Sequence, residues 1–527
     1  MTETPRTRPD PTAVGPRDHR YGYLTAGAVL LYVLLALGSV LTKRPWCDEA
    51  WFASPALDLI VNGRMGTHVL EPTGTHLSLL KSGVRLDRID QHTYWVMPLH
   101  FLVLALWFKV FGFTLTVLRL PAVVWGLSAL AAWYVIVRRL GGSRELATLT
   151  LFFIGIDYAF VNSASDGRMD MMCASLGFLA MAVYLALHEA RFLCAVLLSH
   201  AAAALSVFTH PNGALASVSL LFMMFYLDRK RLSWTVLPLA GMPYAIGALG
   251  WTAYILQDRA AFVAQFGANA SNRWAGLTAP IEGIRLEIAR RYLEAHFLPL
   301  GAGLNGRLKL LILLGYIAAL AITAAVPTLR RNPGWRLLLC LTGLRFLMMS
   351  WGIALKNAYY LVHIIPFYAF CMACATCWLW QRSKGVRWVT ALLLCLVVGL
   401  QLSWSLYRIF WLRPYQKQYM PAVRFLKTRI TPRDLVCGSA ELAFAFGFYN
   451  PQIVDDLWMG LWSGKQPTII VVDKWYYYQP AQKEAPAYFP YVTRLLHRDF
   501  NVIYSQGDEY QIYARKPGAT QGDTQSR

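Results

Sequence analysis

The side chains best able to do chemistry in this chain lie where apolar segments end. Asp48 and Glu49 follow a first apolar run from about Leu24 to Leu41, and Asp166, Arg168 and Asp170 fall in Ser165-Asp166-Gly167-Arg168-Met169-Asp170-Met171, between two further runs. Two carboxylates on separate loops suit a transfer reaction, in which one takes the proton of an incoming hydroxyl and the other orients it. Other readings stand beside this one. Asp48 is placed to N-cap a helix beginning near Ala50, and spacing does not decide whether Asp166 or Asp170 is the one paired with Arg168. His210, in Phe208-Thr209-His210-Pro211-Asn212-Gly213, sits between two tightly turning spans and is either a reactive group or a satisfied turn histidine. Lys356 lies in Leu355-Lys356-Asn357-Ala358-Tyr359-Tyr360-Leu361. Its ammonium either stabilises a lipid phosphate as a leaving group or snorkels beside Tyr359 and Tyr360 in an aromatic belt.

What positions these groups is a membrane. The 527 residues are 56% hydrophobic and 15% charged, with mean hydropathy +0.38, a composition far from that of a soluble globular protein. The first apolar run, roughly 18 residues, is long enough to cross a bilayer, lacks a small-residue cleavage site and reads as a retained signal anchor. Charged groups emerging at a membrane boundary are costly unless paired, and are commonly functional.

Further apolar segments run about 94 to 113, 116 to 137, 145 to 163, 170 to 187, 192 to 209, 212 to 227, 234 to 256, 307 to 328, 335 to 355, 358 to 380 and 387 to 411. The segment Tyr94 to Phe113 decides the orientation of everything after it. If it lies along the outer surface instead of crossing, the basic loops at Arg138-Arg139, Arg229-Lys230-Arg231, Arg330-Arg331 and Arg382 to Arg387 all face inside with the N-terminal tail. The positive-inside rule favours that arrangement, with roughly 11 true spans. The acidic loops, His210, Lys356 and the C-terminal region then share one outer, aqueous side.

The formal charge of +21, from 50 Lys and Arg against 29 Asp and Glu, goes with basic residues that cluster in short loops between apolar segments, so no nucleic-acid partner is expected. Cys371, Cys374 and Cys377 sit inside an apolar segment at a spacing that serves helix packing. Cys47 and Cys437 fall on the same side without support for a disulfide. His68, Glu71, His76 and His92 are too irregularly spaced for a metal site to be expected. The organisation read from the sequence is a disordered cytoplasmic tail at 1–20, a transmembrane unit at 21–411, an extracytoplasmic α/β domain at 412–517 and a disordered tail at 518–527. Within the α/β domain, helices are expected at 419–428 and 491–498 and strands at 434–437, 468–472, 501–505 and 510–514.

Asp48-Glu49 after the first span resembles the Asp-Glu signature of the GT-C membrane glycosyltransferases, in particular the family 39 group of protein O-mannosyltransferases and lipid A aminoarabinose transferases. Tyr94-Trp95-Val96-Met97-Pro98-Leu99-His100 resembles that group's Lys-Pro-Pro-Leu-Tyr-Tyr-Trp element, followed by Phe108-Lys109-Val110-Phe111-Gly112 and Arg119-Leu120-Pro121. Arg168-Met169-Asp170-Met171 resembles its Arg-x-Asp-Met motif, which favours Asp170 over Asp166, and Lys356 to Tyr360 with Pro366 resembles its late Arg/Lys-Tyr-Tyr-Leu motif. Two elements depart from the pattern: the Thr-Lys-Gly-Pro stretch is here Thr209 to Gly213, and the double proline is reduced to Pro98. The resemblance covers roughly residues 24 to 410.

It implies an α-helical polytopic membrane protein with the GT-C fold, juxtamembrane helices and a small C-terminal α/β domain, sited in a bacterial plasma (inner) membrane. The implied activity is inverting transfer of a sugar from a polyprenyl-phosphate donor to a glycan, lipid or protein acceptor. Asp48 would be the base, Asp170 and Glu49 would orient acceptor and sugar with Asp166, Arg168, His210, Tyr359 and Tyr360 nearby, and Lys356 would offset charge on the departing phosphate. A lipid monophosphate donor needs no metal cofactor. The alternative is a transporter or flippase of lipid-linked sugars, which would place ionisable residues midway along the spans.

Overall fold

In a computed structural model, the structure describes residues 16–71, 76–77, 84–267, 270, 278–297, 303–456, 458–460, 463–473, 488–507 and 509–518. The expected tail at 1–20 lies outside these residues up to position 15, and that at 518–527 lies outside them except for Gly518. The chain is mostly helical. In order come α1 (Pro16–Thr42), α2 (Cys47–Asn62), α3 (Leu99–Phe111), α4 (Leu115–Arg139), α5 (Arg144–Ile156), α6 (Tyr158–Ser163), α7 (Asp170–Leu187), α8 (Phe192–Thr209), α9 (Ala214–Asp228) and α10 (Val236–Ile255). After short helical segments that include Arg259–Phe262, Pro280–Leu286 and Glu287–Phe297 follow α11 (Gly303–Ala325), α12 (Pro333–Gly352), α13 (Ile365–Trp380) and α14 (Lys384–Leu406).

Seven of the described helical segments are long and apolar enough to cross a bilayer: Arg20–Thr42, Leu115–Arg139, Asp170–Leu187, Phe192–Thr209, Val236–Ile255, Gly306–Ala325 and Lys384–Lys427. The remaining expected spans are shorter or less apolar. The one at 145 to 163 is broken at Asp157, whose carboxylate caps α6 by accepting from the Ala159 and Phe160 amides. At 13 residues, α3 is roughly 20 Å long, well short of the ~30 Å hydrocarbon core.

The bundle core is aromatic and close-packed. α7 lies against α4 and α8, α1 against α4 and α5, and α13 against α5 and α11. Trp133, Phe160, Phe178 and Phe367 are wholly buried between them. The last long helix does not stop at the expected domain boundary near 411. It continues through wide turns at Tyr407–Leu412 and Tyr415–Tyr419 into a short helix, Met420–Lys427.

The C-terminal region forms a five-stranded mixed sheet in the order β4-β3-β5-β7-β6, from β3 (Val436–Gly438), β4 (Ile453–Val454), β5 (Ile469–Asp473), β6 (Phe500–Ser505) and β7 (Tyr510–Arg515). A short antiparallel pair, β1 (His76–Leu77) and β2 (Val84–Arg85), precedes them in the chain. β3 pairs in parallel with β4 and β5, while β7 runs antiparallel to β5 and β6. Four of these strands lie within two residues of the positions expected from sequence, and β4, two residues long, carries too little pattern to be read. The sheet is not a free appendage. Its inner face joins α2 and α3 in one apolar cluster that includes Trp51, Phe52, Phe101, Cys437, Ile470 and Phe500, and Asp455 bridges to Leu70 in the segment after α2.

Candidate active site

α2 begins at Cys47, three residues earlier than the capping reading of Asp48 requires. The N-cap is Trp46, which makes no side-chain cap bond, and Asp48 and Glu49 fall in the first turn, where carboxylates favour the positive end of the helix. The helix ends at Gly63, which has φ +70, a left-handed conformation that glycine adopts without strain. Asp48 is therefore not spent on capping. Its side chain retains 14% exposure, whereas Glu49 retains none.

Glu49 is a structural joint. Arg119 of α4 donates to both its carboxylate oxygens, at 2.7 and 2.6 Å, and the Gly167 amide donates to it at 2.9 Å. The same guanidinium donates to the carbonyls of Val40, Lys43 and Arg44 at 3.0, 2.7 and 2.9 Å. One buried pair thus fixes the end of α1, the start of α2 and the loop before α7. Glycine is needed at 167, because an added Cβ would meet Leu118 at 2.5 Å.

Arg168 is the hub of the site. It is ion-paired with Asp48 and donates through Nε to Asp170 at 2.7 Å. Its guanidinium lies 3.9 Å from the Tyr359 ring centre, 5.2 Å from Trp46 and 5.4 Å from Phe52. Rotation is closed off by three aromatic faces. One guanidinium faces two carboxyl groups, so Asp48 can accept a proton while Arg168 keeps an anionic partner in Asp170. The second oxygen of Asp170, Oδ1, is buried and has no hydrogen-bond partner among the described residues, which leaves it available to a substrate hydroxyl.

The other expected residues divide into two groups. Tyr359 stands edge-on to Tyr360, centroids 4.6 Å apart, and Tyr360 lies 5.5 Å from the His210 ring, so these three line one side of the Arg168 site. His210 Nδ1 accepts from the Asn212 amide at 3.0 Å and caps the turn at Pro211–Gly213. Asp166 is held separately, in an ion pair with Lys43. Lys356 is engaged elsewhere: its ammonium contacts Glu287 at 3.0 Å and donates to the carbonyls of Met349 and Ser350 at 3.0 and 2.8 Å, closing the end of α12. Glu287 also accepts from Arg291 at 2.8 Å.

Sequence reasoning gave no role to the residues that hold the site together, although Arg119 stood in one of the quoted elements. Lys43 and Arg119 are charged residues beside or within apolar runs, and that placement is itself the signal, since such a charge requires a partner; Glu287 and Arg291 lie in the long loop between runs, where charge carries no such signal. Trp46 and Phe52 carried no signal beyond an aromatic type. Among the described residues no three His, Cys, Asp or Glu side chains converge as metal ligands would; His68 instead meets Asp58 at 2.9 Å. Cys47 and Cys437 are free thiols in the same apolar cluster.

No family model and no curated protein matches the chain in sequence. Comparison of structures does find likenesses. ArnT from Cupriavidus metallidurans bound to undecaprenyl phosphate superposes with a TM-score of 0.55 at 14% identity, over 95% of this chain and 98% of that one. The Archaeoglobus fulgidus oligosaccharyltransferase in its apo form gives 0.60 at 14% identity, over 95% and 75%, and the same enzyme tethered to an acceptor peptide gives 0.59 at 12%, over 95% and 74%. Likeness along nearly the whole chain at so little identity is likeness of fold, the GT-C fold expected from the sequence.

Proposed function

We propose that the protein is an inverting glycosyltransferase that moves a sugar from a polyprenyl-phosphate donor to an acceptor hydroxyl at the outer face of a bacterial plasma membrane. The observation that carries this reading is the Asp48–Arg168–Asp170 group, in which the partly exposed carboxylate and the buried one share a single guanidinium. The acceptor oxygen attacks the anomeric carbon as its proton passes to Asp48, and the bond from that carbon to the phosphate oxygen breaks with its electron pair on the phosphate. The phosphate leaves on the lipid. Asp170 Oδ1 holds a hydroxyl of acceptor or sugar in line, and Tyr359, Tyr360 and His210 form the adjoining wall. No metal is required, because the leaving group is a monophosphate and not a pyrophosphate.

The reading is supported by the fold and by the undecaprenyl phosphate and acceptor peptide bound to two proteins of that fold. Whether the sugar is a hexose or a pentose, and whether the acceptor is glycan, lipid or protein, is decided by assay against each class. The test is transfer from synthetic polyprenyl-phosphate sugars by the purified full chain, wild type against Asp48→Asn. The reading expects transfer by the first and a rate lower by about 100-fold or more in the second. Equal rates where chemistry limits turnover would remove Asp48 from the reaction.

A further inference from the structure

Beside the transfer site, at the same end of the bundle, cationic groups gather without an acid to balance them. Lys309, in the second turn of α11, lies 4.2 Å from the Trp404 ring centre and 5.0 Å from that of Tyr158, and its ammonium donates to the His296 carbonyl at 3.4 Å. Arg408, just past α14, lies over the same Tyr158 ring at 5.7 Å, is bonded to the Tyr158 hydroxyl and donates to Asn162 Oδ1 at 2.9 Å. Neither has a carboxylate within ion-pair distance among the described residues. Asp157, next to Tyr158 in the chain, is committed to Tyr316 and Gln401 at 2.6 and 2.8 Å. The His296 imidazole, pushed down to about 3 by burial and by Lys309, is neutral beside them.

The cations in and next to the transfer site are paired. Lys43 has Asp166, Arg119 has Glu49, Arg168 has Asp48 and Asp170, and Lys356 and Arg291 share Glu287. Two like charges held against one aromatic ring repel each other, and an anion between them removes that cost. Both side chains are partly accessible. Immediately after Arg408, Phe410 and Trp411 are 71% and 70% exposed, as apolar and interfacial aromatic side chains are where they meet lipid. Asn162 Oδ1 also accepts from Lys43 at 3.2 Å, so the cluster is continuous with the Asp166 loop that carries Arg168.

We infer that Lys309 and Arg408 form a binding site for the phosphate monoester of a membrane lipid, its chain lying along the bilayer face at Phe410 and Trp411. On the reading proposed above, the lipid is the polyprenyl phosphate left when the bond to the sugar breaks, and this pair, in place of Lys356, receives its phosphate. A monoester suits the site because its second ionisation presents two charges to two cations.

The experiment measures binding of labelled undecaprenyl phosphate to the full chain in detergent, independent of sugar transfer. Lys309→Gln and Arg408→Gln are each expected to weaken binding by about 10-fold or more, from loss of a charge-assisted contact, with unchanged elution on size exclusion. Lys309→Arg, which keeps the charge should the glutamine variant fail to fold, is expected to bind within about threefold of wild type. Undecaprenol and inorganic phosphate should compete poorly. Equal competition by undecaprenol would make recognition apolar only, equal competition by phosphatidylglycerol vesicles would make it a general headgroup surface, and equal competition by inorganic phosphate would make the ligand a free ion. Each of these, like wild-type affinity in both glutamine variants, overturns the inference. Binding lost in the variants of a protein that transfers no sugar would leave the lipid-phosphate site standing and defeat only the proposed transferase function.

Discussion

At the scale of single residues, the adjacent carboxylates Asp48 and Glu49 are distinguished by their partners. The sequence places both at the mouth of the first span, yet Glu49 is enclosed by Arg119 and the Gly167 amide while Asp48 keeps an exposed edge. Their amide variants should therefore fail in different ways. Asp48→Asn is expected to retain the melting temperature and lose about 100-fold or more in transfer rate. Glu49→Gln leaves Arg119 buried with an incomplete partner and is expected to lose about 3 to 5 kcal/mol of stability, the scale of a broken buried pair. Thermal melts alongside single-turnover rates check both, and a stable but inactive Glu49→Gln would return Glu49 to the chemistry. The acidic pair was legible because charge beside an apolar run stands out. The division of labour was not, because Arg119 lies 70 positions away and only folding brings it to Glu49.

At the scale of elements, the positions of helices were legible from hydrophobic runs, and the contacts between elements were not. The C-terminal sheet braces α2, the helix that presents Asp48: Trp51 donates through its indole to Asp455 at 2.9 Å, and Asp455 also accepts from the Ala440 amide at 3.0 Å. Trp51→Phe keeps the ring packing and removes the bond. It is expected to lower stability by about 1 to 3 kcal/mol and to slow transfer severalfold although Trp51 is remote from the acceptor, as measured by melts and initial rates. A second tie is titratable. Arg44, just before α2, reaches Asp473 and Glu509 at 3.2 Å each, and beside it Glu441, bonded to the Tyr510 hydroxyl, is pushed up to about 8, by burial first and by Asp473 in addition. A carboxyl whose folded value is raised is protonated in both states below about pH 4. Above that only the unfolded form ionises, so stability falls as pH rises until the folded form ionises near pH 8. Wild type is thus expected to lose on the order of a few kcal/mol between pH 5 and pH 8.5 that Glu441→Gln does not lose, read by denaturation of both proteins across that range. Parallel pH profiles would show that Glu441 titrates normally.

At the scale of the whole molecule, most of the buried charge around the transfer site is paired, and the side of the membrane on which the pairs gather is an orientation argument that rests on the basic loops. Arg138-Arg139, Arg229-Lys230-Arg231, Arg330-Arg331 and Arg382 to Arg387 close helices α4, α9, α11 and α13 at the end opposite the one that carries Asp48, Asp170 and the sheet. Lys and Arg in short loops are retained on the cytoplasmic side, so the carboxylates, the cationic pair Lys309 and Arg408 and the C-terminal sheet are expected outside. α3 is the element on which this turns. Its 13 residues are too few to cross, whereas α5, equally short, is carried on past Asp157 by α6, and a crossing at α3 would reverse the parity of everything after it. A reporter that is active only in the cytoplasm, fused after Arg515, is accordingly expected to be silent, while the same reporter fused after Arg231 is expected to be active. The reverse pattern would place the transfer site on the cytoplasmic face, where the proposed chemistry would have to draw on donor lipids of the inner leaflet. Activity at both positions would mean that α3 crosses in some fraction of molecules, and replacing the basic residues of the 229–231 loop with glutamine should then shift that fraction further.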